Sequence, residues 1–354
     1  MAERNRRPTR ITLAQVAARA GVSAMTASYT YNQPQRVSAE ARARVLAAAE
    51  ELGYPGPDPG ARSLRRGSSR TIGVVLGEQL TYAFEDPQAA SFLAGVAGVC
   101  VTHGYGMTIL PITGGAEDAP RVHDAAVDGF IVWTTVDGDP VLSAISASRR
   151  PAVIHGGPRT EGMALVGVDD EAATKAVGTV AFRHARRPAV MSFPVDRQRS
   201  RRLEKGPATT AAKVPFPVTR SRLRGYRAAA RALGYGWSEV TVAVCPRNNA
   251  DDAEQAARTL LSGPHRPDAI AAMSDQLAAG VIQAAGRLGI DIPGQLAVTG
   301  FDDDPLATQL QLTTVRQSLR DQGAACAEII LGVAPTPDQS DAWTVVERAS
   351  TRDE

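Results

Sequence analysis

Apolar residues near the start of the chain recur at helical intervals. Leu13, Val16, Ala17 and Ala20 fall on one helix face, and Thr12 stands where an N-cap belongs. Gly21 ends that run, because a tight helix-to-helix turn needs a left-handed residue. Ser23 caps a second predicted helix through Met25, Thr26, Ala27 and Ser28 to Asn32. Beyond Pro34, Ser38 caps a third, through Val45, Leu46, Ala49 and Leu52, stopped by Gly53 and Tyr54. Three short helices with a glycine turn after the first match a helix-turn-helix, and a generic three-helix bundle is the alternative.

From Thr71 the period changes. Short apolar runs at residues 72–76, 107–110, 129–133, 152–154, 189–191, 240–244, 269–273 and 296–300 read as buried strands. A helix over 89–103 separates the first two. This alternation predicts parallel sheets covered on both faces. A break near 166–169 divides the strands into two Rossmann-like lobes with a cleft between them. The expected domains are 1–55 (helix-turn-helix), 56–70 (hinge linker or hinge helix) and 71–354 (two lobes that bind an effector and dimerise).

Composition adds limits. Hydrophobic residues at 44% and charged residues at 21% suit a globular chain with sizeable cores. No apolar run approaches the roughly 20 residues of a membrane span, so no membrane partner is expected. Residues 1–10 are polar and arginine-rich with no apolar stretch behind them, which argues against a secretory signal and for the cytoplasm. Cys100, Cys245 and Cys326 lie far apart in no metal-ligand spacing, so neither a disulfide framework nor a metal or cofactor is expected. Twelve arginines against five acidic residues give residues 1–70 a charge of +7, leaving −5 for the remainder of a chain whose net charge is +2. A basic end on a mildly acidic body suits a module that meets a polyanion, and a solvated basic tail is the alternative.

Between the two parts, Pro55, Pro57 and Pro59 stiffen the connection. Residues 61–66 suffice for one helical turn, too little to be stable alone. Leu64, flanked by arginines, fits an apolar wedge for a minor groove, although spacing alone reads as linker.

The ordered motifs Ile11-Thr12-Leu13-Ala14-Gln15-Val16-Ala17, Ala20-Gly21-Val22-Ser23, Thr26-Ala27-Ser28, Val37-Ser38 and Leu52-Gly53-Tyr54 resemble the lactose/galactose repressor (LacI/GalR) family. Farther on, Val127-Asp128-Gly129, Arg222-Leu223-Arg224-Gly225-Tyr226, Met273-Ser274-Asp275 and Gly300-Phe301-Asp302-Asp303 continue it, from about residue 11 to about 351. The resemblance implies an all-α helix-turn-helix head plus an α/β periplasmic-binding-protein-like sensor domain with two Rossmann-like lobes. The chain would cross between lobes near 166–169, 300–304 and 335–341. Base reading falls on Ala24, Met25 and Tyr29 of the second helix. Many members carry arginine where Tyr29 stands, so a bidentate guanine contact would be missing. Ala24 and Met25 suit thymine methyls, with helix packing as the alternative. Thr12, Ser23, Thr26, Ser28 and Asn32 complete the DNA face, Leu64 takes the place of the hinge wedge, and Arg65 holds phosphate.

Small molecules bind beyond the carboxyl ends of strands in open parallel sheets, here in the cleft. Asp302 and Ser274 each follow a predicted strand. Arg222, opening a helix, matches the family's effector-binding arginine, and an arginine facing a carboxylate suits hydroxyl-rich or anionic ligands. His155, Asn248, Phe84 and Asp86 are further candidates from loops and strand ends. For Arg222 and Asp302 the alternative is bracing of the lobes, and for His155, Ser274 and Asn248 a structural or solvent role. Asn248 stands where an aromatic often stacks on the effector in the family. An Arg/Pro-rich insertion at 197–220 reads as a mobile cover.

The expected function is a repressor-type transcriptional regulator acting as a homodimer on double-stranded operator DNA, controlled by a sugar, nucleoside or similar effector. No heptads follow Leu331, so a coiled-coil tetramer is not supported. A transporter's solute-binding protein would explain the lobes but not the helix-turn-helix. A Rossmann-like enzyme lacks GxGxxG, Walker and GxSxG motifs.

Overall fold

Thr12 and Gln15 cap the first helix, α1 (Leu13–Ala20), reciprocally: the Gln15 amide oxygen accepts from the Thr12 N–H at 2.8 Å while the Thr12 hydroxyl accepts from the Gln15 N–H. Gly21 ends it at φ 66, a left-handed turn that Cβ-bearing residues resist. Ser23 accepts from the Thr26 N–H at 3.0 Å and starts α2 (Ala24–Asn32). A 3-10 turn, Pro34–Arg36, leads to α3 (Ala39–Glu51), capped by Ser38. Val16, Ala17, Ala20, Ala27, Val45, Ala48 and Ala49 form the core, whose many alanines let the helices approach closely. Leu46, expected on the apolar face, is instead 44% exposed, and Ala48 takes an inward place. The computed structural model describes residues 11–56, 67–77, 81–209, 211–336 and 341–352. Leu64 and Arg65 lie outside the described residues. The chain divides into two units, Met1–Ser69 and Arg70–Glu354.

In the second unit, one parallel sheet contains β1 (Thr71–Leu76), β2 (Gly106–Pro111), β3 (Gly129–Trp133), β4 (Ala152–His155) and β5 (Ala164–Val166), in the order β2-β1-β3-β4-β5. The other contains β6 (Pro188–Ser192), β7 (Arg202–Lys205), β8 (Thr241–Val244), β9 (Ala269–Ala272) and β10 (Ala297–Thr299), in the order β10-β9-β6-β8-β7. Both sheets are parallel as expected except at one edge, where β7 runs antiparallel to β8. β7 lies within the insertion and reads Arg-Leu-Glu-Lys, the charged composition that protects an edge strand. The insertion is therefore partly sheet. A two-stranded antiparallel ribbon pairs β11 (Thr314–Arg316) with β12 (Thr344–Val346).

Helices cover the first sheet as α4 (Tyr82–Glu85), α5 (Pro87–His103), α6 (Asp118–Asp124) and α7 (Pro140–Ala147). The second lobe carries α8 (Asp170–Phe182), α9 (Pro217–Ala232), α10 (Ala250–Leu261), α11 (Asp275–Arg287) and α12 (Pro305–Gln309). A last helix, α13 (Leu319–Leu331), returns to the first lobe, where Leu319, Cys326 and Ile330 share a core with Ile72, Phe92 and Ile131.

The first crossing lies between β5 and α8. The second is later than the expected 300–304. Thr299 bridges Thr313 and Asp302 bridges Arg316, so the chain stays with the second lobe until it leaves for α13. The third runs from α13 to β12, and residues 337–340 within it are outside the described set. The chain end rejoins the second lobe, where the Ser350 hydroxyl donates to Val298 O at 2.7 Å.

Gly225 sets how closely α9 lies on α8. A Cβ there would collide with Thr174 Oγ1 and the Glu171 carbonyl oxygen, and the latter belongs to backbone that cannot rotate away. Gly225→Ala is expected to cost about 3 kcal/mol by overpacking. It would also move Arg222, one turn earlier on α9. Urea unfolding read alongside effector response checks both; an unchanged midpoint would show that the helices have slack.

Candidate functional site

The two lobes enclose a cleft of about 940 Å³, its open mouth included. Trp133, Thr134 and His155 line it from the first lobe, and Phe193, Arg222, Asn248 and Asp302 from the second. The second crossing adds Gln317, α13 adds Gln322, and the insertion adds Arg199 and Phe216.

Arg222 is the centre of the second-lobe wall. It sits in the second turn of α9 rather than at its start, because Pro217 already opens the helix. Its Nε donates to Asp170 Oδ1 at 2.7 Å, and its Nη1 donates to Met273 O. The guanidinium lies 3.6 Å from the centre of the Phe301 ring, a cation–π contact strengthened by burial. Burial disfavours the Arg222 charge, but Asp170 and Asp302 outweigh it, so its pKa rises. The two carboxyls are pushed up themselves, chiefly by burial and against the pull of Arg222. Asp302 has φ 118, a backbone conformation that side chains other than glycine's rarely adopt. Its N–H donates to Val315 O at 2.7 Å, which holds the turn in place.

His155 ends β4. Its ring stacks on Trp133 at 5.0 Å and also meets Phe92. Burial, with the nearby Arg222 charge, depresses its pKa to about 4, leaving it neutral at pH 7. Its Nε2 lies 2.7 Å from Gln322 Oε1. Gln322 Nε2 donates to Gln317 Oε1 at 3.0 Å, and Gln317 Nε2 donates to Asp302 Oδ1 at 2.8 Å. Because Asp302 accepts, the amides orient one way and His155 is the donor at the far end. This chain of hydrogen bonds runs from one lobe, through the crossing segment, to the other.

A second tie spans the lobes. Asn248 Nδ2 donates to Asp86 Oδ2 at 2.6 Å, while Asp86 Oδ1 caps α5. Ser274 donates to Asn248 Oδ1 at 2.5 Å and caps α11. Ser274 is fully buried and does not line the cleft, because its hydroxyl is committed to these two partners. Phe84, on α4, is 70% exposed and is also absent from the lining. His155, Arg222, Asn248 and Asp302 thus come together, and Asp86 reaches them through Asn248. Sequence reasoning missed Trp133, Asp170, Phe193, Phe216, Gln317 and Gln322. Trp133 and Phe193 follow or end apolar strands, which was a usable signal; the two glutamines gave none.

On the first unit, α2 exposes Ala24 and Met25, the latter at 64%, so Met25 plays no part in core packing. Tyr29 is half-buried, with the Arg36 guanidinium 5.8 Å from its ring centre. The Ser23 and Thr26 hydroxyls meet at 2.9 Å, and Asn32 Nδ2 donates to Ser28 O at 3.1 Å.

Comparison with known proteins agrees with this architecture. Residues 12–56 match the model of the bacterial regulatory proteins of the lacI family, and residues 208–351 match that of a periplasmic binding protein-like domain. The HTH-type transcriptional regulator Rv3575c of Mycobacterium tuberculosis is 36% identical over 91% of this chain and 90% of its own. A LacI-family transcriptional regulator from Corynebacterium glutamicum superposes with a TM-score of 0.72 at 29% identity, covering 96% of this chain and 98% of its own. The transcriptional regulator CelR in complex with cellobiose shares the fold, with a TM-score of 0.64, 24% identity, and coverage of 96% of this chain and all of its own. A helix-turn-helix joined to such a two-lobed body defines a DNA-binding transcriptional regulator and not an enzyme. The chain belongs to the lacI family of bacterial regulatory proteins. Among the described residues, no helix is long and apolar enough to cross a membrane.

Proposed function

We propose that this regulator is a cytoplasmic homodimeric repressor whose affinity for a pseudo-palindromic operator is set by a hydroxyl-rich small molecule in the cleft. The observation that carries this reading is Arg222, held on Phe301 beside Asp170 and Asp302 in the cleft wall. A guanidinium beside carboxylates offers donors and acceptors at the spacing of neighbouring hydroxyls, with Asn248 and His155 alongside. That the similarly folded CelR holds cellobiose supports a sugar or a relative of one.

Ligand that bridges the lobes would alter the His155–Gln322–Gln317–Asp302 chain and the Asp86–Asn248 tie, and with them the spacing of the lobes. Differential affinity of about 1–3 kcal/mol between two lobe arrangements shifts operator occupancy several-fold to a hundredfold. On the DNA side, exposed Ala24 and Met25 read thymine methyls, and Tyr29 lies beside them. Thr12, Ser23, Thr26, Ser28 and Asn32 seat the helix on the backbone, while Leu64 and Arg65 serve the hinge.

Three measurements test the reading. A thermal-shift screen of the full chain with ribose, cellobiose and adenosine should find a stabilising ligand. A fragment of residues 70–354 should keep that response and lose operator binding, and retained operator affinity would overturn the division of labour. Met25→Ala is expected to weaken specific binding by about 1–3 kcal/mol with little change on random duplex. Equal losses on both would remove Met25 as a base reader.

A further inference from the structure

The insertion at 197–220 meets the first lobe through two ion pairs. Arg220 Nη1 lies 2.5 Å from Asp137 Oδ2, and Nη2 lies 3.4 Å from Asp137 Oδ1, so the guanidinium addresses both carboxylate oxygens. The same Nη1 donates to Val214 O at 3.0 Å, and Val214 belongs to the core of the second lobe. That bond positions the Arg220 side chain independently of Asp137, which removes part of the entropy that usually cancels an exposed pair. Arg197 faces Asp139 at 3.7 Å. Asp139 is buried at the start of α7, where its oxygens accept from the Val141 N–H at 3.0 Å and the Thr135 hydroxyl at 2.8 Å.

Steric fit accompanies the charges. Gly156 and Gly157, after β4, have φ 71 and φ 92. A Cβ on Gly156 would stand 3.0 Å from Val218 Cγ2, and one on Gly157 would stand 3.0 Å from Pro217 Cβ. The first turn of α9 therefore lies directly on a first-lobe turn that carries no side chains. β3 and β4 are parallel neighbours, so the segments that follow them, 134–139 and 156–157, form one receiving edge. On the other side, β7 pairs with β8 and anchors the insertion in the second sheet. Both surfaces also line the cleft, Thr134 and Gly156 from the first lobe, Phe216 and Val218 from the insertion and α9.

We propose that the insertion and the first turn of α9 are an electrostatic strap that holds the two lobes together while the cleft is without effector, and that ionic strength loosens it. This rests on the reading of the cleft as the effector site and adds its regulation. Effector of any charge enters and leaves only as Arg220 and Arg197 part from Asp137 and Asp139. Raising NaCl from about 0.1 to about 1 M shortens the screening length from about 10 to about 3 Å. That weakens the strap more than the buried His155–Gln322–Gln317–Asp302 chain, whose links are made by amides. Loss of one strap pair should raise the ratio of open to closed lobes about threefold to tenfold.

The full chain without effector is the test object. Its three tryptophans are Trp133, Trp237 and Trp343, and Trp133 stands in the first-lobe wall of the cleft. With Trp237→Phe and Trp343→Phe in place, acrylamide quenching of Trp133 reports opening. The quenching constant should rise about twofold or more between low and high salt. Asp137→Asn should raise it already at low salt and leave little further response to salt. Asp137→Glu, which keeps the charge, should retain most of the protection, and Asp124→Asn, an exposed carboxyl of α6, should behave as the parent. Urea midpoints separate opening from unfolding and should stay unchanged in Asp137→Asn. Quenching of the parent that ignores salt, or equal quenching in Asp137→Asn and the parent, would overturn the strap. So would a rise that tracks a lowered midpoint. None of these readouts involves a ligand, so the effector reading stands or falls separately, by the thermal-shift screen.

Discussion

Arg222→Ala is expected to abolish the effector response and to destabilise the second unit by about 3–5 kcal/mol, the cost of breaking a buried ion pair from one side. Asp170 would keep its buried carboxylate without the guanidinium 2.7 Å away, and Asp302 would lose the charge that now opposes its upward shift. Met273 O would lose a donor, and the Phe301 ring its cation. Acid should soften the damage. In the variant both carboxyls have folded pKa values above their unfolded ones, so the native state binds more protons and becomes relatively stronger as pH falls. The gap between variant and wild type therefore narrows from pH 7 towards pH 4. Arg222→Lys restores a charge but not the planar fork that serves Asp170, Met273 and Phe301 together, and should recover stability better than response. The first unit has its own core, so its helices should melt as in the wild type. Calorimetry at pH 7 and pH 4.5, with effector titration, checks all of this. A variant with the wild-type midpoint and response would reduce Arg222 to a bystander.

How far such a site can be read from sequence depends on what fixes each part. The head was legible because its determinants are local: Thr12, Ser23 and Ser38 are caps, Gly21 is a left-handed turn, and the apolar spacing is short-range. Strands in the two sheet centres were legible because burial on both faces leaves continuous apolar runs such as residues 129–133. β7 was not, since an edge strand that alternates half-buried and exposed residues carries charges and looks like loop. The second crossing was misplaced because the Thr299–Thr313 and Asp302–Arg316 bridges are long-range pairings with no signature at 300–304. Ser274 and Gln322 show the same limit. A serine after a strand is equally suited to line a cleft or to cap the next helix, and its tie to Asn248 decides it. Gln322 lies on α13 and meets His155 only because that helix returns to the first lobe. Composition near a strand end tells where a ligand sits; which side chains face it depends on packing between distant segments.

Asp275→Asn is expected to stabilise the ligand-free protein above pH 7 and to do almost nothing near pH 4. Asp275 is fully buried at the start of α11, with Oδ1 accepting from Thr314 Oγ1 at 2.6 Å and Oδ2 from the Asp304 N–H at 2.9 Å. Burial, helped by the charges of Asp304 and Asp303 and opposed by those two hydrogen bonds, pushes its pKa up to about 7. The unfolded carboxyl titrates near 3.9. Between these values the native state holds a proton that the unfolded state has released, so this group's contribution to stability falls as pH rises from about 4 to about 7. Asparagine accepts from Asp304 and donates to Thr314 without ever ionising, and the advantage at pH 8 should be on the order of 3–4 kcal/mol. His155 acts in the opposite direction over nearly the same range. Its folded pKa of about 4 lies below the unfolded value near 6.5, so its contribution is full above pH 6.5 and is lost as pH falls towards 4. In the wild type the two partly cancel, and removing Asp275 exposes the histidine. Urea midpoints of the variant should therefore rise relative to wild type as pH is raised from 4.5 to 8. A difference between the two proteins that stayed constant across that range would mean Asp275 titrates as an ordinary carboxyl, and that its burial is relieved by water.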